Sequence, residues 1–367
     1  MADWSGLPYD IIHKVATYLI AVEDFVSFSC VCPSWRSVYH SKQWNQVPQV
    51  PFLMFSDNEN NNDSTRNLLS LYSNNVYKSH LPEVYGSRCW GSSLGWLVTL
   101  GPDLNIHLLN PLTRVSIDLP HISSLQTHFG AILDQQEFID KAFVFNKPRE
   151  NESDMLVMII YGPLRRLGFC RPGYSSWIGI GDDSRGSFID ALCLKDRIIA
   201  LSNMGSLFHV DIDARAVTDI QCPHSPQLFT LLFPLWDWEQ MSLVESSSGD
   251  LWMVHQNRSG HLRSVVFIVY QYDFDKKWWI RLSGLGDCAI FIGDNCCVCV
   301  CAPERFKCQM NCIYFVGKER ERRWPNREMF ADVGVYYVED GSCGPLYRGP
   351  ESPRYYSFPI WVMPTVP

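Results

Sequence analysis

Asp190-Ala-Leu-Cys-Leu194, Arg197-Ile-Ile-Ala-Leu201, Ser206-Leu-Phe-His-Val-Asp211 and Ala216-Val-Thr-Asp-Ile220 follow one another in close succession. Each run is short, rich in β-branched and aliphatic residues, and bounded by turn formers, as strands are. The same rhythm returns in Met241-Ser-Leu-Val244, Asp250-Leu-Trp-Met-Val254, Val265-Val-Phe-Ile-Val-Tyr270 and Trp278-Trp-Ile-Arg-Leu282. In both units the third strand ends near an acidic residue before a final strand begins. A four-stranded unit repeated at roughly 40–50 residues is the signature of a propeller blade of kelch-like type.

Working outward, comparable runs occur on both sides. Upstream are Pro51-Phe-Leu-Met-Phe55, Gly95-Trp-Leu-Val-Thr-Leu100, Asn105-Ile-His-Leu-Leu109, Lys141-Ala-Phe-Val-Phe145 and Met155-Leu-Val-Met-Ile-Ile-Tyr161. Downstream are Ala289-Ile-Phe-Ile292, Cys312-Ile-Tyr-Phe-Val316 and Val333-Gly-Val-Tyr-Tyr-Val338. A pair of sandwiches would share this texture, but the repeat favours an all-β propeller over residues 52–367. Six blades are preferred and seven are compatible with the span. The apolar segment Phe358 to Met363, next to Pro359 and Pro364, is expected to close or pin the ring, since an open edge strand invites aggregation.

The first 45 residues have a different period. Leu7, Ile11, Val15 and Leu19 recur every four residues, with Ile12 and Ala16 widening the stripe, which predicts an amphipathic helix. Pro8 suits its first turn and Asp10 complements the helix dipole. Glu23 and Asp24 open a second helix carrying Phe25, Phe28 and Val31. After Pro33, Trp35, Val38 and Tyr39 mark a third. So small a bundle makes a weak core by itself, and a partner covering its surplus apolar surface would explain the crowding of aliphatics.

The Leu7-Pro8 pair opening an apolar helix, the acidic loop at Glu23-Asp24, and Cys32-Pro-Ser-Trp-Arg36 closing the unit together resemble an F-box. That resemblance implies a small all-α bundle at residues 1–45 that docks on a Skp-type adaptor and, through it, a cullin. By residue-wise match it assigns adaptor contacts to Leu7, Pro8, Ile11, Ile12, Val15, Leu19 and Trp35, some of which must instead build the bundle. Residues 46–51, with Pro48 and Pro51, read as a linker. Within 52–367, an ordered set of landmarks is similar to a large plant F-box family with a KIB-type β-propeller. They are Gly91-Ser-Ser-Leu-Gly-Trp-Leu97, Asn110-Pro-Leu-Thr-Arg114, Leu285-Gly-Asp287, Phe291-Ile-Gly-Asp294, Asn311-Cys-Ile-Tyr-Phe315, Asp332-Val-Gly-Val-Tyr336, Glu339-Asp-Gly-Ser342 and Pro359-Ile-Trp-Val-Met-Pro364. This second resemblance implies a substrate-recruiting role without a particular substrate.

The reading that follows is a substrate-recruiting subunit of a Skp-cullin-F-box ubiquitin ligase, with no catalytic residues and no cofactor of its own. The rival readings are a propeller-based enzyme and a non-ligase F-box adaptor. A convergent polar pocket with shifted acid or base groups would favour the enzyme. A net charge of −8 argues against a nucleic-acid partner, and no stretch is long and apolar enough to span a bilayer. The N-terminal residues enter the helical unit directly, so no signal or transit peptide is expected and the site of action is cytoplasmic, nuclear or both. The 14 cysteines are then mostly reduced thiols, and the sequons at Asn62, Asn151 and Asn257 stay unmodified.

Chemical motifs are few. Gly91-Ser-Ser-Leu-Gly95 has the spacing of a nucleophile elbow, but a strand rather than a helix follows, so a Gly-rich turn is expected. Cys296, Cys297, Cys299, Cys301, Cys308 and Cys312 are close in sequence. Alternation at 297, 299 and 301 suits a strand better than a chelate, and no metal is expected. His107 and His209 lie in apparent strands, as packed or hydrogen-bonded residues. Trp236, Trp238, Trp252, Trp278 and Trp279 are expected to fill gaps between blades. The target-binding surface is expected on propeller loops, with 57–64 and 318–328 as candidates.

Overall fold

The computed structural model describes residues 4–19, 21–39, 49–55, 64–125, 138–146, 155–181, 187–220, 240–258, 265–295, 297–317, 332–346 and 359–364. Three short helices come first: α1 (Tyr9–Ala16), α2 (Val22–Ser29) and α3 (Pro33–Tyr39). Six sheets follow, which settles the blade count at six.

Blade 1 holds β1 (Phe52–Phe55), β2 (Thr65–Leu69) and β3 (Val76–His80). Blade 2 is β4 (Arg88–Gly91), β5 (Leu97–Leu100), β6 (Ile106–Leu109) and β7 (Ser116–Leu119). Blade 3 is β8 (Ile139–Asn146), β9 (Met155–Tyr161), β10 (Arg166–Cys170) and β11 (Ile178–Ile180). Blade 4 is β12 (Phe188–Leu194), β13 (Arg197–Ser202), β14 (Leu207–Asp211) and β15 (Ala216–Ile220). Blade 5 is β16 (Gln240–Glu245), β17 (Leu251–Arg258), β18 (Val265–Asp273) and β19 (Trp278–Arg281). The two repeat units read in the sequence are blades 4 and 5.

Blade 6 departs from the pattern. It contains β20 (Cys288–Ile292), β21 (Cys297–Cys301), β22 (Cys312–Gly317), β23 (Asp332–Tyr337) and β24 (Cys343–Pro345). Its spatial order is β21-β20-β22-β23-β24, and β20 pairs with β22 in parallel. In blades 2 to 5 the first strand in sequence is innermost. Here the hairpin folds inward, so the second strand, β21, takes the inner place against β16.

β25 (Ile360–Val362) closes the ring by pairing antiparallel with β1, Leu53 facing Trp361. Blade 1 is therefore built from both ends of the propeller, as the apolar C-terminal segment predicted; Phe358 itself lies outside the described residues. Trp361 is fully buried, packs edge-on to Phe291, and donates its indole N–H to the Ile292 carbonyl at 3.0 Å.

A shared turn explains the loose repeat. Before the last strand of four blades, Ser70, Asn110, Asp211 and Asp273 accept backbone N–H groups from their own turns. Four residues on, Asn74, Arg114, Arg215 and Lys277 take positive φ values of 55°, 64°, 51° and 54°. Asx and Ser turns of this kind supply the fold reversal locally. The acidic residue read at each third strand's end is this turn.

The inner strands are held by buried polar bridges. Lys141 on β8 meets Asp190 on β12 at 3.2 Å, and Asp190 also accepts the Leu243 N–H of β16 at 2.7 Å. Burial pushes the Asp190 carboxyl up, against the opposing pull of Lys141 and the backbone donors. Asn295 makes three further bonds to two residues, accepting the Ala142 N–H and donating to the Gly91 and Ala142 carbonyls. Removing one partner of a buried pair strands the other charge. Lys141→Met is therefore expected to cost about 3 kcal/mol in denaturant unfolding, and Asp190→Asn less, since an acceptor for Leu243 remains. A Lys141→Met chain as stable as the unaltered one would show that the bridge contributes nothing.

Candidate adaptor-docking face

Pro8 caps α1 in extended geometry, and the helix then splits its apolar residues between two faces. Ile12 and Ala16, one turn apart, are buried with Phe25, Phe28 and Val38 in the bundle core. Leu7, Leu19 and Trp35 are half-buried around that core. Trp35 lies 4.5 Å from the Phe28 ring and donates its indole N–H to the Trp4 carbonyl.

Among the described residues, nothing covers the second face. Ile11 is 43% exposed and Val15 40%, again one turn apart. Trp4, Pro8 and Tyr18 are exposed close by in sequence, as are Val26 and Val31 on and after α2. Within α1 the four-residue step keeps Ile11 and Val15 on one side, whereas Trp4 belongs to a short 3-10 turn ahead of the helix and Pro8 and Tyr18 flank its ends. The sequence stripe of Leu7, Ile11, Val15 and Leu19 thus merged two faces. Of the seven residues assigned to the adaptor, Pro8, Ile11 and Val15 are open, Leu7, Leu19 and Trp35 are partly open, and Ile12 is closed within the bundle. Trp4 and Tyr18 were not singled out from the sequence.

The bundle sits on blade 1. Val22 packs with Phe52, Met54 and Leu68. The Val22 N–H bonds Gln49, and Ser70 donates its hydroxyl to Glu23 at 2.5 Å. Burial and then the Asp24 carboxylate push the Tyr72 hydroxyl up, while Lys307 lies over the Tyr72 ring at 4.7 Å. The cleft between α2, blade 1 and Phe306 holds about 10 Å³, room for about one water.

Two profiles match the chain: the F-box domain over residues 4–46 and the KIB1-4 beta-propeller over residues 68–337. The chain belongs to the F-box proteins with a KIB1-4 beta-propeller. Arabidopsis thaliana F-box protein SKIP23 is 23% identical, covering 99% of this chain and 96% of that one. F-box protein At2g26160 of the same plant is 25% identical over 87% of this chain and 97% of its own. Among solved structures, the β-propeller domain of Myceliophteria thermophila Cps50 (Swd1) aligns with a TM-score of 0.39 at 9% identity, over 79% of this chain and 84% of that one.

In this F-box protein the other sequence motifs find structural places. Gly91 to Gly95 joins β4 to β5 as a turn between strands, with the Ser92 hydroxyl bonded across it to Trp96. His107 pairs with Asp118 at 2.9 Å. Trp252 and Trp279 are buried, whereas Trp278 is 40% exposed and fills no gap. Trp236, Trp238, Cys296, loop residues 57–63 and the loop 318–328 lie outside the described residues.

Cys297, Cys299 and Cys301 face the blade 5 side, while Val298 and Val300 face blade 1, as strand alternation requires. Cys308 and Cys312 are buried, their thiols pushed up to about 12 and about 11. A grouping absent from the sequence reading is Asp287, Cys288 and Cys301, whose potential ligand atoms lie within 4.8 Å of one another. The two sulfurs are 3.1 Å apart, whereas thiolates about 2.3 Å from a tetrahedral zinc stand about 3.8 Å apart. Elemental analysis of protein purified without added metal is therefore expected to show well under one zinc per chain. Stoichiometric zinc released only on unfolding would reverse this reading.

Proposed function

We propose that this chain is the substrate-recruiting subunit of a Skp-cullin-F-box ubiquitin ligase. The observation that carries the reading is the second, uncovered apolar face of α1 within a bundle that the F-box profile matches. A helix with apolar residues on two faces and a core on only one invites a partner of stated shape: an apolar groove on a Skp-type adaptor. The adaptor brings a cullin, and the propeller holds a protein target. Catalysis belongs to other subunits, and this chain contributes proximity by raising the local concentration of a target lysine. The chain acts in the cytoplasm, the nucleus or both.

A separate target-binding propeller, 52–367, was expected from the change in sequence texture. The packing of Val22 on blade 1 means that a fragment starting at residue 46 would uncover Phe52, Met54 and Leu68. The division of labour is better tested in the full-length chain. With Ile11 and Val15 replaced by aspartate, affinity capture read by mass spectrometry is expected to lose adaptor and cullin while keeping the target. A variant that loses every partner, yet stays folded, would show that the propeller does not recruit the target alone.

A further inference from the structure

Cys288 opens β20 and Cys301 closes β21, and the two are register partners. Directly opposed residues on antiparallel strands have Cα atoms about 4.5–5.5 Å apart, within the span of about 4.4–6.8 Å that a disulfide bridges. Their sulfurs are 3.1 Å apart. Closing to a bond of about 2.0 Å needs side-chain rotation rather than strand movement. The Asp287 carboxylate accepts from the Cys288 thiol at 3.6 Å, and the Ser247 hydroxyl lies 3.3 Å from the same sulfur. Cys288 is buried and Cys301 half-buried, so an oxidant meets Cys301 first.

We propose that Cys288 and Cys301 form a redox-modification site, at which a peroxide converts the thiol pair into a cross-strand disulfide. The Cys301 sulfur attacks the peroxide, the O–O bond breaks, and Cys301 sulfenic acid and water form. The Cys288 sulfur then attacks the sulfenic sulfur. The S–S bond forms and the S–O bond breaks. The departing hydroxide combines with the Cys288 proton, which the Asp287 carboxylate relays, to give a second water. Two thiols are oxidised by two electrons and one hydrogen peroxide is reduced to two waters. Burial pushes the Cys288 thiol up to about 11, so its thiolate is scarce near neutrality and the site answers sustained oxidant.

The bond would lie at the root of the segment that supports the F-box. Ala302 donates its N–H to the Asp287 carbonyl, and the Pro303–Phe306 turn of helix follows. Phe306 lines the cleft beneath α2, and Lys307 covers Tyr72. Oxidation therefore clamps the seat of the ligase-docking bundle.

The test uses the full-length chain, treated with hydrogen peroxide, unfolded, alkylated with N-ethylmaleimide and mapped by peptide mass spectrometry. The expected product is a peptide pair joined through Cys288 and Cys301, lighter by one pair of hydrogens and released by dithiothreitol. The oxidised chain is expected to melt a few degrees higher and to resist proteolysis near residues 302–308. Cys288→Ser should abolish the link and leave a Cys301 sulfenic acid that dimedone traps; Cys301→Ser should abolish the link without that adduct. The exposed Cys30 and Cys343 report that oxidant reached the protein. The proposal is overturned if those two react while Cys288 and Cys301 stay fully alkylated, if the link joins Cys299 instead, or if bound zinc protects the pair. Because the wild-type map carries the result, a variant that fails to fold does not remove the test.

Discussion

Replacing Ile11 and Val15 together by aspartate is expected to weaken capture of a Skp-type adaptor by more than about 100-fold, with no change in melting temperature. Both side chains stand on the open face of α1, so neither carboxylate enters the bundle core. Two charges placed in an apolar contact would each be desolvated without a partner on binding. Ile12→Ala makes the contrast. Ile12 is 1% exposed between α1, α2 and α3. Its truncation is expected to cost about 2–5 kcal/mol of bundle stability through lost packing and a cavity, and to affect the adaptor only through that loss. Adaptor affinity by calorimetry and helix melting by circular dichroism separate the two effects. An aspartate pair that binds at wild-type affinity would remove α1 from the docking face.

The difference between Ile11 and Ile12 is also where sequence and structure part. Four-residue spacing locates a helix and its apolar content, but α1 is apolar on two adjacent faces. Only the positions of Phe25, Phe28 and Val38 decide which face is inside. Blades 4 and 5 were legible because each carries its own local signal: β-branched runs closed by an Asx turn, Asp211 to Arg215 and Asp273 to Lys277. Blade 6 was not legible in that way. Cys297 to Cys301 reads as a strand from alternation alone, yet its inner place, and the parallel pairing of β20 with β22, depend on packing against β16. The pairing of Cys288 with Cys301 was hidden for the same reason, since it rests on hairpin register and not on chelate spacing. Lys141, Asp190 and Asn295 looked like ordinary polar residues beside strands. Their partners lie about 50 to 200 positions away in the chain, beyond the reach of any periodic pattern.

Removing residues 359–367 is expected to produce insoluble or protease-sensitive protein, because β25 is the inner strand of blade 1 and not a tail. Phe52, Leu53 and Met54 of β1 pair with Val362, Trp361 and Ile360. Without β25 these residues present an unpaired apolar edge, a template for association with another chain. The ring also loses its fit on both sides. Trp361 fills space against Phe291 of blade 6. Its backbone carbonyl lies so near Gly91 of blade 2 that a side chain there would overlap it. Gly91→Ala should accordingly destabilise the same seam from the opposite direction. Point substitutions grade the effect. Trp361→Ala is expected to cost about 3–5 kcal/mol, a fall of about 4–6 °C in melting temperature for a chain of this size. Trp361→Phe keeps most of the packing but strands the Ile292 carbonyl, so a loss of about 1 kcal/mol is expected. The order truncation, then alanine, then phenylalanine follows if closure depends on strand pairing first, side-chain volume second and the indole bond last. A truncated protein with an unaltered melting curve would mean that the ring is held shut elsewhere.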